Sequence, residues 1–420
     1  MKIKVKEISY EQFLQIKNYK HFRPLKPSRL LNLLIRIASK KELKDVNFKY
    51  KKENMESIDL KNPCLILMNH SCFLDLKIAF KLLYPARFNI VMTDDGFVGK
   101  KGLMRLVGCI PTMKFITDTA LVKDIFYAVN KLHDSILMYP EASYSFDGTA
   151  TPIPTHFSRF VKKLNIPVIM IKTEKAFLHD PLYNNLQTRK VDVEASMKCI
   201  ISKEELEKLS LDKIQEIIEN EFKFDNFAYQ IENNVFVKEK FRADYLNRVL
   251  YKCPSCMQEH MMIGKGITIK CDNCKKEYEL CENGKIKAIS GITEYDNPSS
   301  WYHFERESVK KEILNKTYSE TIDVDIYGLK DLKCIYKIGK GTLHHDLNGF
   351  TLKGCNDKLE YHQSVEESYS LYSDFNWYEI DDVVCIGNYK ARFYCVPTNK
   401  KDIVAKLRLA TEELYKLKRT

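Results

Sequence analysis

The chain lacks the long hydrophobic run that a membrane-spanning helix needs. Its 420 residues hold no stretch of about eighteen apolar residues, so we expect no spanning helix. The first residues, MKIKVKEISYEQF, alternate charged with apolar side chains and lack the apolar centre of a secretory signal, so none is predicted. Low-complexity tracts are also absent, and the length predicts two or three globular domains.

The cysteines lack the even number and the spacing of a disulfide framework. There are 13 of them, scattered through strand-like runs, which predicts a reducing compartment and hence the cytoplasm. A nucleotide-binding P-loop is missing too. Residues Gly96–Gly102 are rich in glycine but do not have the GxxxxGK[ST] spacing.

Positive charge is concentrated at one end. The net charge is +11, and residues 1–52 alone hold 15 Lys and Arg against four Asp and Glu. Residues 27–41 predict a helix capped by Ser28. One face of that helix carries Leu30, Leu31, Leu34, Ile37 and Ala38, flanked by basic side chains. Such a helix lies in a membrane interface against anionic lipids or packs on the neighbouring domain, and both alternatives stay open.

Residues 53–240 alternate strand and helix signals. This pattern predicts an α/β fold with a mostly parallel sheet flanked by helices. The predicted strands are Cys64–Met68, Arg87–Met92, Ser135–Tyr139, Ile166–Ile171 and Val191–Ile200, and the predicted helices are Leu74–Leu83, Thr119–His133, Phe157–Leu164 and Ser210–Phe222. His70 and Glu141 both follow strands, at positions where catalytic groups gather.

His70 stands between the first of these strands and the next helix, for which Ser71 is the predicted N-cap. Asp75, in the first turns of that helix, can reach back to the imidazole. A carboxylate on one ring nitrogen fixes the tautomer and leaves the other nitrogen free to take a proton from an alcohol. Taken alone, a His followed by an Asp is more often structural than catalytic.

Four sequence motifs, taken together, bear on the role of the His70–Asp75 pair. Asn69–Asp75 (NHSCFLD) resembles the NHxxxxD signature of the glycerolipid acyltransferases, the family of bacterial 1-acylglycerol-3-phosphate acyltransferase. Gly108–Pro111 (GCIP), followed by Lys114, resembles the second motif of that family. Tyr139–Ser143 (YPEAS) resembles the third motif, and Ile166–Ile169 (IPVI) the closing strand. The order matches, and the resemblance covers residues 48–230.

The resemblance implies roles for individual residues. His70 would act as the base and Asp75 would orient it, while Glu141 holds the acceptor and Lys114 its phosphate. Backbone N–H groups around Gly108–Ile110 would hold the oxyanion. The implied substrate-binding residues are Glu141, Lys114, Gly108, Ile110, Pro111, Ser143 and Arg105. Cys72 has no evident base partner except His70 and is not assigned as a nucleophile.

The third motif departs from the family pattern. Where the family has Gly and Arg, this chain has Ala142 and Tyr144, so a permanently charged planar group is replaced by a phenol. Lys114 could still bind phosphate as a point charge. The alternative cations are Arg105, Lys100, Lys101 and Arg159.

Residues 241–290 contain a C-x2-C-x14-C-x2-C pattern made by Cys253, Cys256, Cys271 and Cys274. Four thiolates in two tight turns suit a closed tetrahedral Zn²⁺ site, so we predict a zinc ribbon with structural zinc. His260 and Cys281 are alternatives for one ligand. The basic residues of this segment are offset by acidic ones, so no nucleic acid is expected to bind.

Residues 291–420 predict a C-terminal α+β domain. A helix at Trp301–Asn315 precedes predicted strands, and a final helix is predicted at Lys401–Leu417. The strands are expected at Glu320–Ile326, Cys334–Tyr336, Thr342–His345, Gly349–Leu352, Tyr378–Ile380, Val383–Ile386 and Arg392–Val396, with hairpin signals at Asn348-Gly349 and Gly387-Asn388. The pattern is similar to a pleckstrin-homology-like barrel.

The sequence as a whole predicts a cytoplasmic, peripheral membrane enzyme of phospholipid biosynthesis. It would move an acyl chain from acyl-CoA or acyl-carrier protein to a hydroxyl of a lysoglycerolipid, with 1-acylglycerol-3-phosphate as the expected acceptor. The expected domains are residues 1–52, 53–240, 241–290 and 291–420. Two alternatives remain: a lipid- or protein-binding scaffold with a decayed site, and a nucleic-acid-binding protein built on the ribbon and the basic N-terminus.

Overall fold

Three sheets and their helices form a mixed α/β structure. The computed structural model describes residues 3–116, 118–400 and 402–419. The described α-helices are α1 Tyr10–Gln15, α2 Arg29–Ala38, α3 Lys40–Asp45, α4 Asp75–Leu83, α5 Lys101–Val107, α6 Thr119–Tyr127, α7 Phe157–Leu164, α8 Ala176–His179, α9 Lys203–Lys208, α10 Leu211–Phe222, α11 Asn226–Glu232, α12 Pro298–Leu314 and α13 Val404–Arg419. Within these described ranges, no helix has both the length and the apolar character needed to cross a bilayer.

The strands divide among the three sheets. They are β1 Val5–Glu7, β2 Lys49–Glu53, β3 Leu65–Met68, β4 Phe88–Thr93, β5 Cys109–Thr112, β6 Ser135–Met138, β7 Val168–Glu174, β8 Glu194–Ile201, β9 Met262–Lys265, β10 Thr268–Cys271, β11 Glu277–Leu280, β12 Ile286–Ala288, β13 Glu320–Gly328, β14 Ile335–Asp346, β15 Gly349–Gly354, β16 Leu359–Ser364, β17 Tyr372–Trp377, β18 Asp381–Gly387 and β19 Arg392–Pro397.

The first sheet has seven strands in the order β2-β8-β7-β3-β6-β4-β5. All its neighbouring pairs are parallel except β7 with β8. The four residues of β3 are fully buried at its centre, and they alternate between two apolar clusters. Ile66 and Met68 pack on the side of α4, while Leu65 and Leu67 pack on the side of α6, α7 and α10. The sheet is therefore covered by helices on both faces, as its continuous apolar strands require.

Most elements predicted for this region are confirmed. All five predicted strands are present, and the helix Phe157–Leu164 has the predicted bounds. The predicted helix Thr119–His133 leaves the α conformation at Tyr127 and continues as a π-helical turn at Ala128–Leu132. The strands β2 and β5 were not predicted.

The second sheet is antiparallel, in the order β16-β15-β14-β13-β19-β18-β17, and β1 adds to it in parallel beside β14. The predicted strands Cys334–Tyr336 and Thr342–His345 are both strand from Ile335 onward, but they belong to the single strand β14. The predicted strand Tyr378–Ile380 was wrong: it is the turn between β17 and β18, because Tyr378 and Glu379 have positive φ. The preceding helix begins at Pro298, capped by Asn297, three residues before its predicted start.

The last helix, α13, begins at Val404. The predicted start at Lys401 lies outside the described residues, and the helix continues to Arg419, beyond the predicted end. All of its first eleven residues are buried, including Lys406, Arg408 and Glu412. A helix with charged groups buried in this way must find partners for them within the protein.

The third sheet is small and antiparallel, in the order β12-β11-β10-β9, and it carries the four cysteines of the predicted zinc ribbon at its end. Its apolar residues share one cluster with α11, α12 and the second sheet. A second cluster joins Ile78 and Phe88 of the first sheet layer to Trp377 and Tyr394 of the second sheet. Two apolar clusters thus cross the predicted domain boundaries, which stay predictions.

Candidate active site

His70 and Asp75 are in contact at the end of β3. His70 Nδ1 lies 3.1 Å from Asp75 Oδ2, as the NHSCFLD pattern predicts. The His70 side chain keeps 18 % of its surface exposed, against 1 % for Asp75. With Nδ1 facing the carboxylate, Nε2 is the nitrogen left to act on a substrate proton.

Asp75 does more than contact the ring. Its Oδ2 also accepts hydrogen bonds from the backbone N–H groups of Ser71 at 2.7 Å and Cys72 at 3.1 Å. The predicted N-cap at Ser71 was therefore wrong: helix α4 begins at Asp75, and its first side chain satisfies the free N–H groups of the preceding turn. These two bonds lock the loop that carries His70.

The neighbouring Asn69 ties this loop to the next strand. Its Oδ1 accepts from the Thr173 N–H at 2.7 Å, and its Nδ2 donates to the Thr173 carbonyl at 3.1 Å and to Ser71 Oγ at 3.0 Å. The amide of Asn69 joins the carboxyl ends of β3 and β7 in this way.

Glu141 holds the backbone of His70. Its Oε2 accepts from the His70 N–H at 2.9 Å, and its Oε1 accepts from the Thr151 N–H at 2.8 Å. Burial raises the pKa of Glu141 to about 7, although these hydrogen bonds oppose the shift. Both oxygens are engaged in positioning the chain around His70, a contact that the motif resemblance did not predict.

Two tyrosines enclose the imidazole. The rings of Tyr144 and Tyr139 stack on His70 with centroid distances of 3.8 and 4.3 Å. Tyr144 occupies the position where the family pattern has Arg. Burial holds the pKa of both phenols well above their ordinary value, so both are neutral hydrogen-bond donors.

The electrostatics favour a neutral His70. Burial lowers the pKa of its imidazole, and the carboxylate of Asp75 opposes that shift without overcoming it. Burial raises the pKa of Asp75, whose hydrogen bonds to His70 and the loop act in the opposite direction. A neutral imidazole oriented by a buried acid has the protonation state that a general base requires.

The second motif contributes one side chain to this region. Lys114, just beyond β5, lies close enough to lower the pKa of His70 and sits with Nζ 4.3 Å from the centre of the Tyr372 ring. Ile110 is buried in the core, and Pro111 is a half-buried residue of β5. The Gly108 N–H donates to the carbonyls of Met104 and Arg105, because Gly108 ends α5 with φ +104°. That N–H is therefore not available to an oxyanion, contrary to prediction.

The third motif turns sharply after Glu141. Ala142 has φ +53°, a left-handed conformation that favours glycine and costs another residue roughly 1–2 kcal/mol, which gives a reason for glycine at this position in the family pattern. Ser143 is buried, and its Oγ donates to the Tyr144 carbonyl and accepts from Arg408 Nη1 at 3.3 Å. Arg408 belongs to α13, and no local sequence signal pointed to it.

Three of the four alternative cations lie on other surfaces, whereas Lys100 is half-buried and interacts with Asp95. Arg105 and Lys101 both face the ring of Phe22, and Arg105 also donates to the Arg23 carbonyl. Arg159 is exposed on α7. Burial holds the pKa of the Cys72 thiol well above its ordinary value, which agrees with leaving it out of the catalytic set.

A small cavity lies between the first sheet and the C-terminal sheet. It is bounded on the first side by β4, β5 and the loop after β5, and on the other by β16, β17, β18 and β19. Its polar lining includes Thr93, Thr112, Lys114, Gln363, Tyr372 and Arg392. Residues predicted to belong to a separate domain thus form one wall of this cavity, and of the predicted site residues Lys114 is the one that lines it.

The four ribbon cysteines converge. Within the described residues, one sulfur from each of Cys253, Cys256, Cys271 and Cys274 lies within 4.8 Å of the others, and the pairs Cys253–Cys274 and Cys256–Cys271 are 3.7 Å apart. Tetrahedral zinc at a Zn–S distance of about 2.3 Å separates its sulfurs by about 3.8 Å, so the cluster fits this ion. His260 pairs with Asp402 at 2.9 Å and lies outside this group of sulfurs.

Comparison with known proteins gives a structural likeness. No family model matches the chain, and no curated protein matches it. The chain is similar to the crystal structure of the 1-acyl-sn-glycerophosphate (LPA) acyltransferase PlsC from Thermotoga maritima, with 13% identity and a TM-score of 0.32. The likeness covers 46% of this chain and 78% of that one.

Proposed function

We propose that the protein is an acyltransferase that moves an acyl chain from a thioester to a hydroxyl of a lysoglycerolipid. The observation that carries the proposal is the His70–Asp75 contact at 3.1 Å, with the imidazole kept neutral and 18 % of its side chain exposed. The four motifs occur in the order found in the glycerolipid acyltransferases, and this resemblance is the reason for proposing a lysoglycerolipid as the acceptor.

The reaction follows from the geometry of this pair. His70 Nε2 takes the proton of the acceptor hydroxyl while the hydroxyl oxygen forms a bond to the thioester carbonyl carbon. The tetrahedral intermediate collapses by breaking the carbon–sulfur bond, and the thiolate takes the proton back from the imidazolium. Asp75 stabilises that imidazolium, and no covalent enzyme intermediate is needed.

Glu141 contributes through the backbone. Because its oxygens bind the N–H groups of His70 and Thr151, we assign it to positioning the base. The resemblance assigns Glu141 to the acceptor as well. That role requires an oxygen lone pair beyond those already used, and a carboxylate oxygen offers more than one.

A membrane surface is the proposed location of the substrate. The side chains of Leu30, Leu34 and Ile37 on α2 and of Leu103 and Leu106 on α5 expose 48–65% of their surface, and we call this group the α2–α5 face. The Ser28 N–H donates to the Leu106 carbonyl at 2.9 Å and joins the two helices. Exposed Arg29, Lys40 and Lys41 supply positive charge for anionic lipids.

This face reconciles the two alternatives for the N-terminal helix. Leu31 and Ile35 of α2 pack on the core, so the helix is docked on the domain. Its other apolar residues still point outward. A helix that is anchored on one side and apolar on the other suits binding within the lipid interface.

A structural zinc ion is proposed for the four cysteines. Their spacing matches a closed site with no open coordination position, so it would stabilise the ribbon and not react. The strand order β16-β15-β14-β13-β19-β18-β17, followed by α13, supports the pleckstrin-homology-like barrel as a proposal for the C-terminal region.

A lipid- or protein-binding scaffold is the second candidate. The observation that favours it is the stacking of Tyr144 on His70, where the family pattern has an arginine. A scaffold consumes no thioester, so measuring turnover separates the two candidates.

The decisive experiment is incubation with a panel of lysolipids and either acyl-CoA or acyl-carrier protein, followed by mass spectrometry of the products. His70→Ala should lower turnover by roughly 10²–10⁴-fold, the range for loss of a general base. His303→Ala, on the exposed side of α12, is the matched control and should leave turnover unchanged. Near-normal acylation by His70→Ala would refute the mechanism, and no product from the unaltered protein would favour the scaffold.

A further inference from the structure

The third motif holds His70 on two sides. The Glu141 carboxylate accepts from the His70 N–H at 2.9 Å, and the Ser145 N–H donates to the His70 carbonyl at 3.2 Å. Between these two residues, the ring of Tyr144 lies on the imidazole with a centroid distance of 3.8 Å. The placement of the base therefore depends on the placement of residues 141–145.

Arg408 of α13 contacts this segment from a distant part of the chain. Its Nη1 donates to Ser143 Oγ at 3.3 Å and to the Tyr144 carbonyl at 3.4 Å. The guanidinium also lies 4.4 Å from the centre of the Phe146 ring, within the range of a cation–π contact. Arg408 is 3% exposed, so it contacts the motif from inside the protein and does not reach a substrate.

A buried network of ion pairs holds Arg408 in place. Its Nε donates to Glu412 at 3.2 Å, one helical turn further along, and Glu412 also lies 2.7 Å from Arg306 of α12, which pairs with Glu413 as well. The Ser370 hydroxyl donates to the Glu412 carboxylate at 2.7 Å. Burial opposes the ionisation of Glu412, but Arg306 and Arg408 lower its pKa to about 2. Charge-assisted bonds of this kind fix the planar guanidinium in one orientation.

Burial links the position of Tyr144 to the chemistry of the base. Burial lowers the pKa of His70, with Asp75 opposing that shift and Lys114 adding to it. Arg408 is not among these charges, so it acts on His70 through the position of the Tyr144 ring. If that ring moved off the imidazole, water would enter and the pKa of His70 would return toward its ordinary value of 6.5. The titratable side chains around the imidazole are Asp75, Lys114, Tyr139, Glu141 and Tyr144.

We propose that Arg408 is a positioning residue for the transfer reaction, through which α13 holds Ser143 and Tyr144 in the conformation that keeps the Tyr144 ring on His70. This inference rests on the proposed acyl transfer. It makes the last helix of the chain, 265 positions from the third motif, a requirement for turnover although that helix touches no substrate.

Two substitutions separate position from charge. Arg408→Gln removes the charge, whereas Arg408→Lys keeps it but, with a single nitrogen, does not contact Glu412 and the third motif together. Both should lower kcat by roughly 10–100-fold, as expected when a reacting group is displaced by about 1 Å, and should change KM by less than about 3-fold. If Arg408 served only to balance the charge of Glu412, Arg408→Lys would retain kcat, and that result overturns the inference.

The pKa of His70 gives a readout that does not depend on turnover. It is measured by NMR titration of the histidine ring signals in the full-length protein, with His70→Ala identifying the signal of His70. In both Arg408 variants this pKa should rise by roughly 0.5–1 pH unit, because a displaced Tyr144 ring admits water. The acid limb of kcat/KM against pH should move upward by the same amount.

Arg242→Gln is the matched control. Arg242 is 5% exposed and contacts Glu279 and the carbonyls of Glu239 and Leu280 in the ribbon segment. Its loss should lower the thermal unfolding temperature but leave kcat and the pKa of His70 unchanged, and thermal unfolding also shows that each Arg408 variant is folded in the assay.

The two proposals fail in different ways. An unchanged pKa of His70 in both Arg408 variants, or the same change in Arg242→Gln, overturns the positioning role while leaving acyl transfer intact. If the unaltered protein consumes no thioester, acyl transfer itself fails, and the NMR titration still decides whether Arg408 positions the imidazole.

Discussion

At the scale of single residues, the central element is an imidazole whose protonation is set by its surroundings. Burial lowers the pKa of His70 below its ordinary value of 6.5, and Asp75 partly restores it. A general base works only in its neutral form, so activity should hold at pH 6.5 and fall only at lower pH. The acid limb of kcat/KM against pH therefore reports on His70.

Asp75→Asn should change both the plateau and the acid limb of kcat/KM against pH. Removing the carboxylate lowers the plateau by roughly 10²–10⁴-fold, because the tautomer and the imidazolium lose their partner. The acid limb should also move to lower pH, since Asp75 is the group that raises the pKa of His70. Asp192→Asn, at an exposed position, serves as the control in the same assay. An acid limb that stays in place in Asp75→Asn would contradict the pairing.

Glu141 allows a prediction about stability. Its folded-state pKa of about 7 lies above the value of 4.5 for a free side chain, so the folded protein favours the protonated form. Protonation of Glu141 therefore adds about 3 kcal/mol to the unfolding free energy. This contribution is fully present below pH 4.5 and is lost as pH rises through 7. Replacement by Gln removes that dependence.

Glu141→Gln should therefore cost most at low pH. An amide can accept from only one of the two backbone N–H groups, which costs about 1–3 kcal/mol of unfolding free energy. The gap to the unaltered protein should narrow between pH 4.5 and 8 in urea titrations. Glu360→Gln, on the exposed edge strand β16, should change stability by less than about 0.5 kcal/mol. A gap that widens with pH would show that Glu141 is charged in the folded state.

At the scale of elements, the α2–α5 face is the part that meets lipid in our proposal. Leu34→Glu with Ile37→Glu places two charges on it without touching the buried side of α2. Each lost apolar contact is worth about 1.5–3 kcal/mol, so binding to anionic vesicles should weaken by more than about 100-fold in sedimentation assays. Leu314→Glu, 58% exposed at the end of α12, is the matched control. Equal loss in the control would argue against a specific face.

The ribbon is the second element with a clear test. Purified protein should contain one zinc per chain by elemental mass spectrometry, and Cys256→Ser or Cys271→Ser should lose it and unfold at lower temperature. Cys281→Ser should retain the metal, because its sulfur lies outside the cluster of four. Full zinc content in Cys271→Ser would exclude the proposed ligand set.

At the scale of the whole molecule, the sequence predicted contacts between residues that are close along the chain. It did not predict how distant segments pack against one another. The His70–Asp75 contact, the central strands and the cysteine cluster could be predicted because each rests on residues a few positions apart or on periodicity. The Arg408 contact with Ser143 joins residues 265 positions apart, and nothing in the sequence of α13 marks Arg408 as buried. For the same reason the contribution of Gln363, Tyr372 and Arg392 to the cavity between the two sheets could not be predicted.

One buried cation holds several of these distant parts together. Lys406 Nζ lies 2.6 Å from Glu259, 2.8 Å from Glu320 and 3.0 Å from Glu312, so a lysine of α13 joins the ribbon segment, β13 and α12. Its side chain is only 5% exposed. Lysine at this position offsets the mutual repulsion of three carboxylates within a low-dielectric interior.

Lys406→Met keeps the length of the side chain and removes the charge. It should lower the unfolding free energy by about 3 kcal/mol in denaturant titrations, because buried Glu320 and half-buried Glu259 and Glu312 lose a shared partner, while Lys252 and Lys400 remain beside them. Lys353→Met breaks the exposed pair with Glu360 and should cost at most about 1 kcal/mol, which makes it the matched control. Since α13 also braces Ser143 and Tyr144 through Arg408, acyl transfer should decline along with stability in Lys406→Met. Equal effects of the two substitutions would mean that the described ion pairs do not hold the ribbon segment, β13 and α12 together.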